Sequence, residues 1–188
     1  MVNKAFFIDR DGTLNVEVSY LCEPDKTEII PRCAEAIRSI HQAGFLVVVV
    51  TNQAGIARGM YTEKEMMSVH ARIQRLLLAC GSDCTVDAFY YCPHHEKFTG
   101  DCPCRKPHPG MLLRAAAALD IDIAASVMVG DRMSDLYAGR NAGCKCSFLV
   151  KCGYGENHTT AAEQENFPVV DDLWEAVDKT IGKITAIP

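Results

Sequence analysis

Residues 45–51, FLVVVVT, are apolar at six consecutive positions and then stop on a hydroxyl. A strand with one wet face alternates apolar and polar residues; a run without alternation belongs to a strand buried on both faces, as in a parallel sheet covered by helices. Residues 5–9, AFFID, repeat the pattern and stop on a carboxylate. VDAFYY (86–91), SVMVGD (126–131) and CSFLV (146–150) read as three more strands. Helical patterns lie between them. Residues 32–43 put Ala36, Ile37 and Ile40 on one face and stop at Gly44. Thr62 opens a capping box with Glu65 for a helix to about residue 80. Pro109 starts another, MSDLYAGRNAG ends one at Gly143, and a last runs over 171–181. The alternation predicts a three-layer α/β/α, Rossmann-like fold with a mainly parallel sheet. In such sheets the ligand crevice lies at the carboxyl ends of the strands, so Asp9, Thr51, Tyr91 and Asp131 are expected to converge there.

The 188 residues suit one domain, 1–188, with no linker, repeat or low-complexity tract. A net charge of -5 argues against a general nucleic-acid or membrane-surface binder. The greasiest run, 45–50, is far shorter than the ~20 residues a membrane span needs. The N-terminus reaches charged residues too soon for a signal peptide, so the expected location is cytoplasmic, where thiols stay reduced. The ten cysteines are then packing residues, metal ligands or nucleophiles rather than disulfides.

Four segments carry chemistry. FFIDRDGTLN places Asp9 and Asp11 just past a buried strand, where an Asp- and Gly-rich turn would by itself be an ordinary strand terminator. Three further pieces at other strand ends weigh against that bland reading. VVVVTNQAGIARG offers the Thr51 hydroxyl and the Asn52 amide; CRKPHPGM offers the Lys106 ammonium; VMVGDRMSDLYAGRNAG offers Asp131 at a strand end and Asp135 a turn later. A carboxylate pair, a hydroxyl, a lysine and a distal acid make a site for a hard cation and a phosphate, and oxygen ligands suit Mg²⁺.

The loop CPHHEKFTGDCPCRKPHPG (92–110) gathers three cysteines and three histidines. A metal clip, a nucleophilic thiol and a disulfide knot are its physical candidates. Cys92, His94, Cys102 and Cys104 form a Cys₃His set, which suits a closed, structural Zn²⁺ site. His95 and His108 read as solvated or supporting groups. Cys22, Cys33, Cys80, Cys84, Cys144, Cys146 and Cys152 read as packing residues.

Taken together, FIDRDGTLN, TNQAGIARG, CPHH…CPCRKPHPGM and MVGDRMSDLYAGRNAG resemble the four motifs of the haloacid dehalogenase-like phosphohydrolases, in order and over nearly the whole chain. More narrowly they resemble the D-glycero-D-manno-heptose 1,7-bisphosphate phosphatases, whose nearest relatives are the histidinol phosphatases. The resemblance implies that Asp9 is the nucleophile and Asp11 the general acid and base. It implies that Mg²⁺ is held by the Asp9 carboxylate, the Asp11 main-chain oxygen and Asp131, and that Thr51 and Lys106 hold the phosphoryl oxygens. Asp135 is expected to orient Lys106 or a metal-bound water. Substrate contacts are implied at Asn52, Gln53 and Arg105, and at Glu17 and Tyr20, in the stretch where such enzymes line the pocket. Arg132 stands where relatives carry lysine, which changes the shape of that contact. The resemblance also puts structural zinc at Cys92, His94, Cys102 and Cys104, where it would aim Arg105 and Lys106.

The expected activity is Mg²⁺-dependent removal of the C7 phosphate of a heptose 1,7-bisphosphate by a monomer, in nucleotide-activated heptose synthesis for lipopolysaccharide or another surface glycan. The partner is a small sugar bisphosphate, with no nucleic acid and no membrane. Histidinol-phosphate phosphatase on the same scaffold is the alternative, although Arg105 favours a second phosphate. A polynucleotide phosphatase would need a basic track. A phosphate-binding module without catalysis would not need Asp9, Asp11, Lys106 and Asp131 together. The intervals between the first three motifs leave no room for a large cap domain.

Overall fold

In chain order the elements are β1 (Ala5–Ile8), α1 (Cys33–Gln42), β2 (Leu46–Asn52), α2 (Ala54–Ala57), α3 (Glu63–Leu78), β3 (Ala88–Cys92), α4 (Glu96–Thr99) and α5 (Gly110–Leu119). They continue with β4 (Val127–Gly130), α6 (Met133–Ala142), β5 (Cys146–Val150), α7 (Thr159–Gln164), β6 (Val169–Val170) and α8 (Leu173–Ile181). The computed structural model describes residues 2–182.

The strands form one sheet in the order β3-β2-β1-β4-β5-β6, and every neighbouring pair is parallel. Phe7 sits opposite both Val48 and Met128, so β1 is central and its order reverses against β4. That reversal leaves a crevice beyond the carboxyl ends of β1 and β4, the residues that follow them being Asp9 and Asp131.

Alternation along each strand sorts the core into two layers. Phe6, Ile8, Val47, Val49, Val127 and Val129 pack with Ile37, Ile40, Ile73, Leu77, Leu173 and Val177 of α1, α3 and α8. Ala5, Phe7, Val48, Val50 and Met128 face the other way, onto Met111, Leu112 and Ala115 of α5 and Ala138 of α6. Both faces of the sheet are therefore covered, and no large cap domain interrupts the fold. This is why the strands carry no polar alternation.

The caps follow the chemistry of the sequence. The Thr62 side chain accepts from the Glu65 backbone N–H at 3.2 Å, while Glu65 accepts from the Thr62 N–H at 2.7 Å, closing the box at the start of α3. Asp172 caps α8, which begins at Leu173, two residues later than the sequence reading began it. The strand β6 and the one-turn helices α2, α4 and α7 escaped that reading, because two to six residues are too few to show a period. Among the described residues no helix is long and apolar enough to cross a membrane.

One expected convergence fails. Tyr91 pairs in register with Thr51 but lies on β3, the edge strand, where its hydroxyl donates to Glu63 Oε2 of α3 at 2.6 Å. Asp9, Thr51 and Asp131 do reach the crevice end of the sheet.

Candidate active site

The crevice, about 370 Å³, is lined from β1 by Asp9, Arg10 and Asp11, from β2 by Thr51, Asn52 and Gln53, and from the long loop by His95, Arg105 and Lys106. Glu17, Tyr20, Arg58, Arg132, Asp135 and Tyr154 are among its other wall residues. A volume of this size suits a small-molecule ligand.

At its floor Lys106 Nζ donates to Asp9 Oδ1 at 2.6 Å and to the Val50 carbonyl at 2.7 Å, and lies 2.7 Å from Asp135 Oδ1. All three residues of this ion cluster are buried, with Lys106 3% exposed. The lysine backbone is fixed independently. Asn52 Nδ2 donates to the Lys106 carbonyl and the Lys106 N–H donates to Asn52 Oδ1, both at 3.0 Å. Asp135 Oδ2 also accepts from the Arg132 N–H at 2.9 Å, which ties the ion cluster to the start of α6.

Charge is not balanced there. Asp9, Asp131 and Asp135 bring carboxylate oxygens within 4.8 Å of one another, against Lys106 and the more distant Arg132, whose Nε is 4.0 Å from Asp131 Oδ1. Burial, together with Asp135 and Asp131, pushes Asp9 well above the usual carboxylate range despite Lys106. Burial and Asp135 push Asp131 up to about 7. Lys106 is raised as well, Asp135 and Asp9 outweighing its burial. Asp131 Oδ1 is buried with no hydrogen-bond partner, while Oδ2 accepts from the Tyr154 N–H at 2.8 Å. Gly12 (φ +81°) and Gly153 (φ +57°) make the space for that carboxylate, since a Cβ on either would collide with Asp131 Oδ2. Hard oxygen ligands, excess negative charge and an orphaned carboxylate oxygen fit a divalent cation such as Mg²⁺.

Asp11 is held differently. Its Oδ1 accepts from Arg10 Nε and Asn15 Nδ2, each at 3.0 Å, and its Oδ2 from Arg10 NH2 at 2.7 Å and Gln53 Nε2 at 3.1 Å. Burial alone would raise its pKa; the Arg10 charge and these hydrogen bonds outweigh it and hold Asp11 below the usual carboxylate range. Gln53 Nε2 also donates to Thr51 Oγ1 at 2.7 Å, and Tyr61 donates to Gln53 Oε1 at 2.6 Å, which fixes the amide's orientation. Thr51 Oγ1 accepts there, leaving its own proton free to donate.

The second cluster is sulfur-rich. One ligand atom each of Cys92, His94, Cys102 and Cys104 lies within 4.8 Å of the others. His94 Nδ1 is 3.7 Å from both Cys92 Sγ and Cys104 Sγ, close to the ~3.6 Å edge that Zn–S and Zn–N bonds of about 2.3 and 2.0 Å imply for a tetrahedron. The Cys102 and Cys104 sulfurs are 2.9 Å apart, tighter than such a site needs and well beyond a disulfide of about 2.0 Å. The donor set fits a structural metal ion.

A HAD-hydrolase-like family model matches residues 103–176. The D-glycero-beta-D-manno-heptose-1,7-bisphosphate 7-phosphatase of Escherichia coli (strain K12) is 46% identical, the match covering 98% of this chain and 91% of that protein. That of Pasteurella multocida is 44% identical, covering 81% and 84%. The chain belongs to the heptose-bisphosphate phosphatase family of HAD-like hydrolases. Among solved structures, the D,D-heptose 1,7-bisphosphate phosphatase of B. bronchiseptica, complexed with magnesium and phosphate, superposes with a TM-score of 0.84 at 34% identity, covering 94% of this chain and 97% of that one.

In this heptose-bisphosphate phosphatase homologue the crevice is lined by the motif candidates Asp9, Asp11, Thr51, Asn52, Lys106 and Asp135, with Asp131 buried beside them. Glu17 is half-buried; burial and Asp11 raise its pKa, against Arg132 and Arg10. Tyr20 stands exposed at the rim with a left-handed backbone, φ 57°. Arg105 NH1 donates to the His94 carbonyl at 3.0 Å, so the metal-ligand loop and the crevice share that residue. Arg132 lies over the Tyr154 ring at 4.1 Å. Asn52 and Gln53 spend their amides on Lys106 and Asp11, as described above. Both residues line the crevice.

Sequence reasoning missed Arg10, Arg58, Tyr154 and the wall position of His95. Arg58 lies 3.2 Å from His95 Nε2, between the rings of Tyr20 and Phe98. Its only signal was the Arg in GIARG, a residue that reads as surface. Arg10, fully buried, reads as a solvated turn residue between two aspartates.

Proposed function

We propose that the protein is a Mg²⁺-dependent phosphatase that removes the C7 phosphate of D-glycero-D-manno-heptose 1,7-bisphosphate in the cytoplasm. The observation that carries this reading is the Asp9–Lys106–Asp135 ion cluster at the sheet reversal, with the guanidiniums of Arg58, Arg105 and Arg132 along the same crevice. One phosphate meets the cluster and a second anion meets an arginine.

In this reading Asp9 attacks phosphorus and forms an aspartyl-phosphate as the bond to the sugar oxygen breaks. Asp11 delivers a proton to that departing oxygen, then takes one from the water that hydrolyses the intermediate. Thr51 and Lys106 donate to the phosphoryl oxygens, where charge develops. Lys106 already makes three contacts, so it exchanges one of them for substrate. Asp9, the Asp11 main-chain oxygen and Asp131 would hold Mg²⁺, which when bound offsets the repulsion between the carboxylates and the phosphate. Cys92, His94, Cys102 and Cys104 would hold Zn²⁺ as a staple that sets Arg105 and Lys106 at the crevice. The test is phosphate release with Mg²⁺ from heptose 1,7-bisphosphate, sugar monophosphates and histidinol phosphate. Preference for the bisphosphate supports the reading; preference for histidinol phosphate replaces it with the sister activity.

A further inference from the structure

The four hydrogen bonds on Asp11 occupy its carboxylate fully, and two of them come from one edge of Arg10. That guanidinium is itself 0% exposed. A buried guanidinium must find acceptors for its remaining donors, because an unsatisfied buried donor costs about 1–3 kcal/mol. The group facing its third nitrogen comes from outside the crevice: His70 Nε2 lies 3.4 Å from Arg10 NH1.

His70 sits on α3 in the stripe Met66, Val69, His70, Ile73, Leu77, the face that packs on the sheet. It is 7% exposed, and its ring stacks on Phe89 with centroids 4.5 Å apart and planes 17° from parallel. No residue of α3 lines the crevice among the described residues. Burial, and then the Arg10 charge, push the imidazole down to about 3, so it is neutral at working pH. Arginine does not deprotonate in proteins. Nε2 is therefore the acceptor, and the ring's proton is on Nδ1. Phe89 fixes the plane of the imidazole, the imidazole meets one side of the guanidinium, and the opposite edge presents Nε and NH2 as a fork to Asp11.

We propose that His70 is a positioning residue for the proton-transferring carboxylate, acting through Arg10. The proposal rests on the reading above, at the step that uses Asp11 in the ionised state its four donors hold: Asp11 takes a proton from water as the water oxygen bonds to phosphorus and the bond from Asp9 to phosphorus breaks. Because His70 cannot touch substrate, its contribution falls on the step that uses Asp11 and not on binding. A misaimed proton acceptor costs rate steeply, since proton transfer requires hydrogen-bond reach.

The experiment measures kcat and KM for the preferred sugar phosphate, with Mg²⁺, together with the inhibition constant of inorganic phosphate, in wild type, His70→Phe and His70→Gln. Phenylalanine keeps the stack on Phe89 and removes the acceptor; glutamine restores an acceptor oxygen. His70→Phe is expected to lower kcat roughly 10- to 100-fold, a part of the roughly 10²- to 10⁴-fold that general acid–base catalysis contributes, with KM and phosphate inhibition within about threefold of wild type. His70→Gln recovers most of that loss. A folded His70→Phe with unchanged kcat overturns the proposal, and so does one whose phosphate affinity falls as far as its kcat, which is the signature of a merely structural role. Should His70→Phe fail to fold by circular dichroism, His70→Leu takes its place, since it also removes the acceptor for Arg10 while an unchanged kcat would again overturn the proposal. The same kcat-selective loss supports the relay, and a loss confined to KM overturns it. Wild-type protein that releases phosphate from no substrate overturns the phosphatase reading instead, and this role falls with it.

Discussion

Lys106 Nζ and Asp9 Oδ1 are 2.6 Å apart on side chains that are almost completely buried, although 97 residues separate them in sequence. A buried pair of this kind is costly to break by removing one partner, at about 3–5 kcal/mol. Lys106→Met is therefore expected to lower stability by that order in urea unfolding and to abolish phosphate release from mono- and bisphosphates alike. A variant as stable as wild type would mean that the three carboxylates do not need this cation.

Asp9→Asn should separate chemistry from folding. Asp9 has its pKa raised in the folded protein, so once ionised it opposes folding as pH rises above its unfolded value of about 3.9. Replacing it with a neutral amide removes that opposition and keeps an oxygen for Lys106. Turnover is expected to vanish while the melting temperature of metal-free protein at neutral pH holds or rises. Retention of a tenth of wild-type kcat would rule out the covalent step.

The Cys₃His set carries a prediction about metal content. Purified protein should hold about one zinc per chain through dialysis that strips Mg²⁺, as closed structural sites do. Cys104→Ser should lose the zinc, lower the melting temperature and reduce activity, because Arg105 and Lys106 follow directly in the chain. Protein grown with ample metal and found free of zinc would refute the staple.

Arg105→Ala tests the second phosphate. It is expected to lower kcat/KM for a heptose bisphosphate roughly 10- to 100-fold, about 1.4 to 2.8 kcal/mol of lost transition-state stabilisation, and to leave a sugar monophosphate nearly unchanged. Equal losses on both substrates would reassign Arg105 to support of the His94 carbonyl to which it donates.

A pH effect on stability is expected far from the crevice. His41 Nδ1 is 2.8 Å from the Asp83 carbonyl and Nε2 is 2.9 Å from Asp87 Oδ2. Both partners only accept, so both ring nitrogens must carry protons, and the hydrogen bond to Asp87 raises the His41 pKa against its partial burial. A raised histidine pKa contributes stability that is fully present below the unfolded value of about 6.5 and is lost as pH rises through the folded value. The melting-temperature gap between wild type and His41→Asn should be widest near pH 6 or just below and shrink by about pH 8.5. A gap that does not vary with pH would show that the contact is made by neutral imidazole.

The sequence by itself determined the layers and the chemical inventory. Unbroken runs such as LVVVV at 46–50 have no polar face to give to water, so they require helices on both sides, and helices on both sides require parallel strands with function at their carboxyl ends. Asp9, Thr51 and Asp131 were legible for that reason, and Lys106 and the four metal-ligand candidates through their motifs. What only the tertiary structure decided is which groups each side chain meets. Arg10 looks like a solvated turn residue until α3 closes over it. Tyr91 looks like a crevice residue until β3 takes the edge of the sheet and the hydroxyl meets Glu63. Asn52 gives no hint in sequence that its amide clips the Lys106 backbone. Period and propensity act over a few residues, whereas the partner of a buried polar atom is chosen by packing between elements 50 to 100 positions apart, as with Arg10 and His70, 60 positions apart.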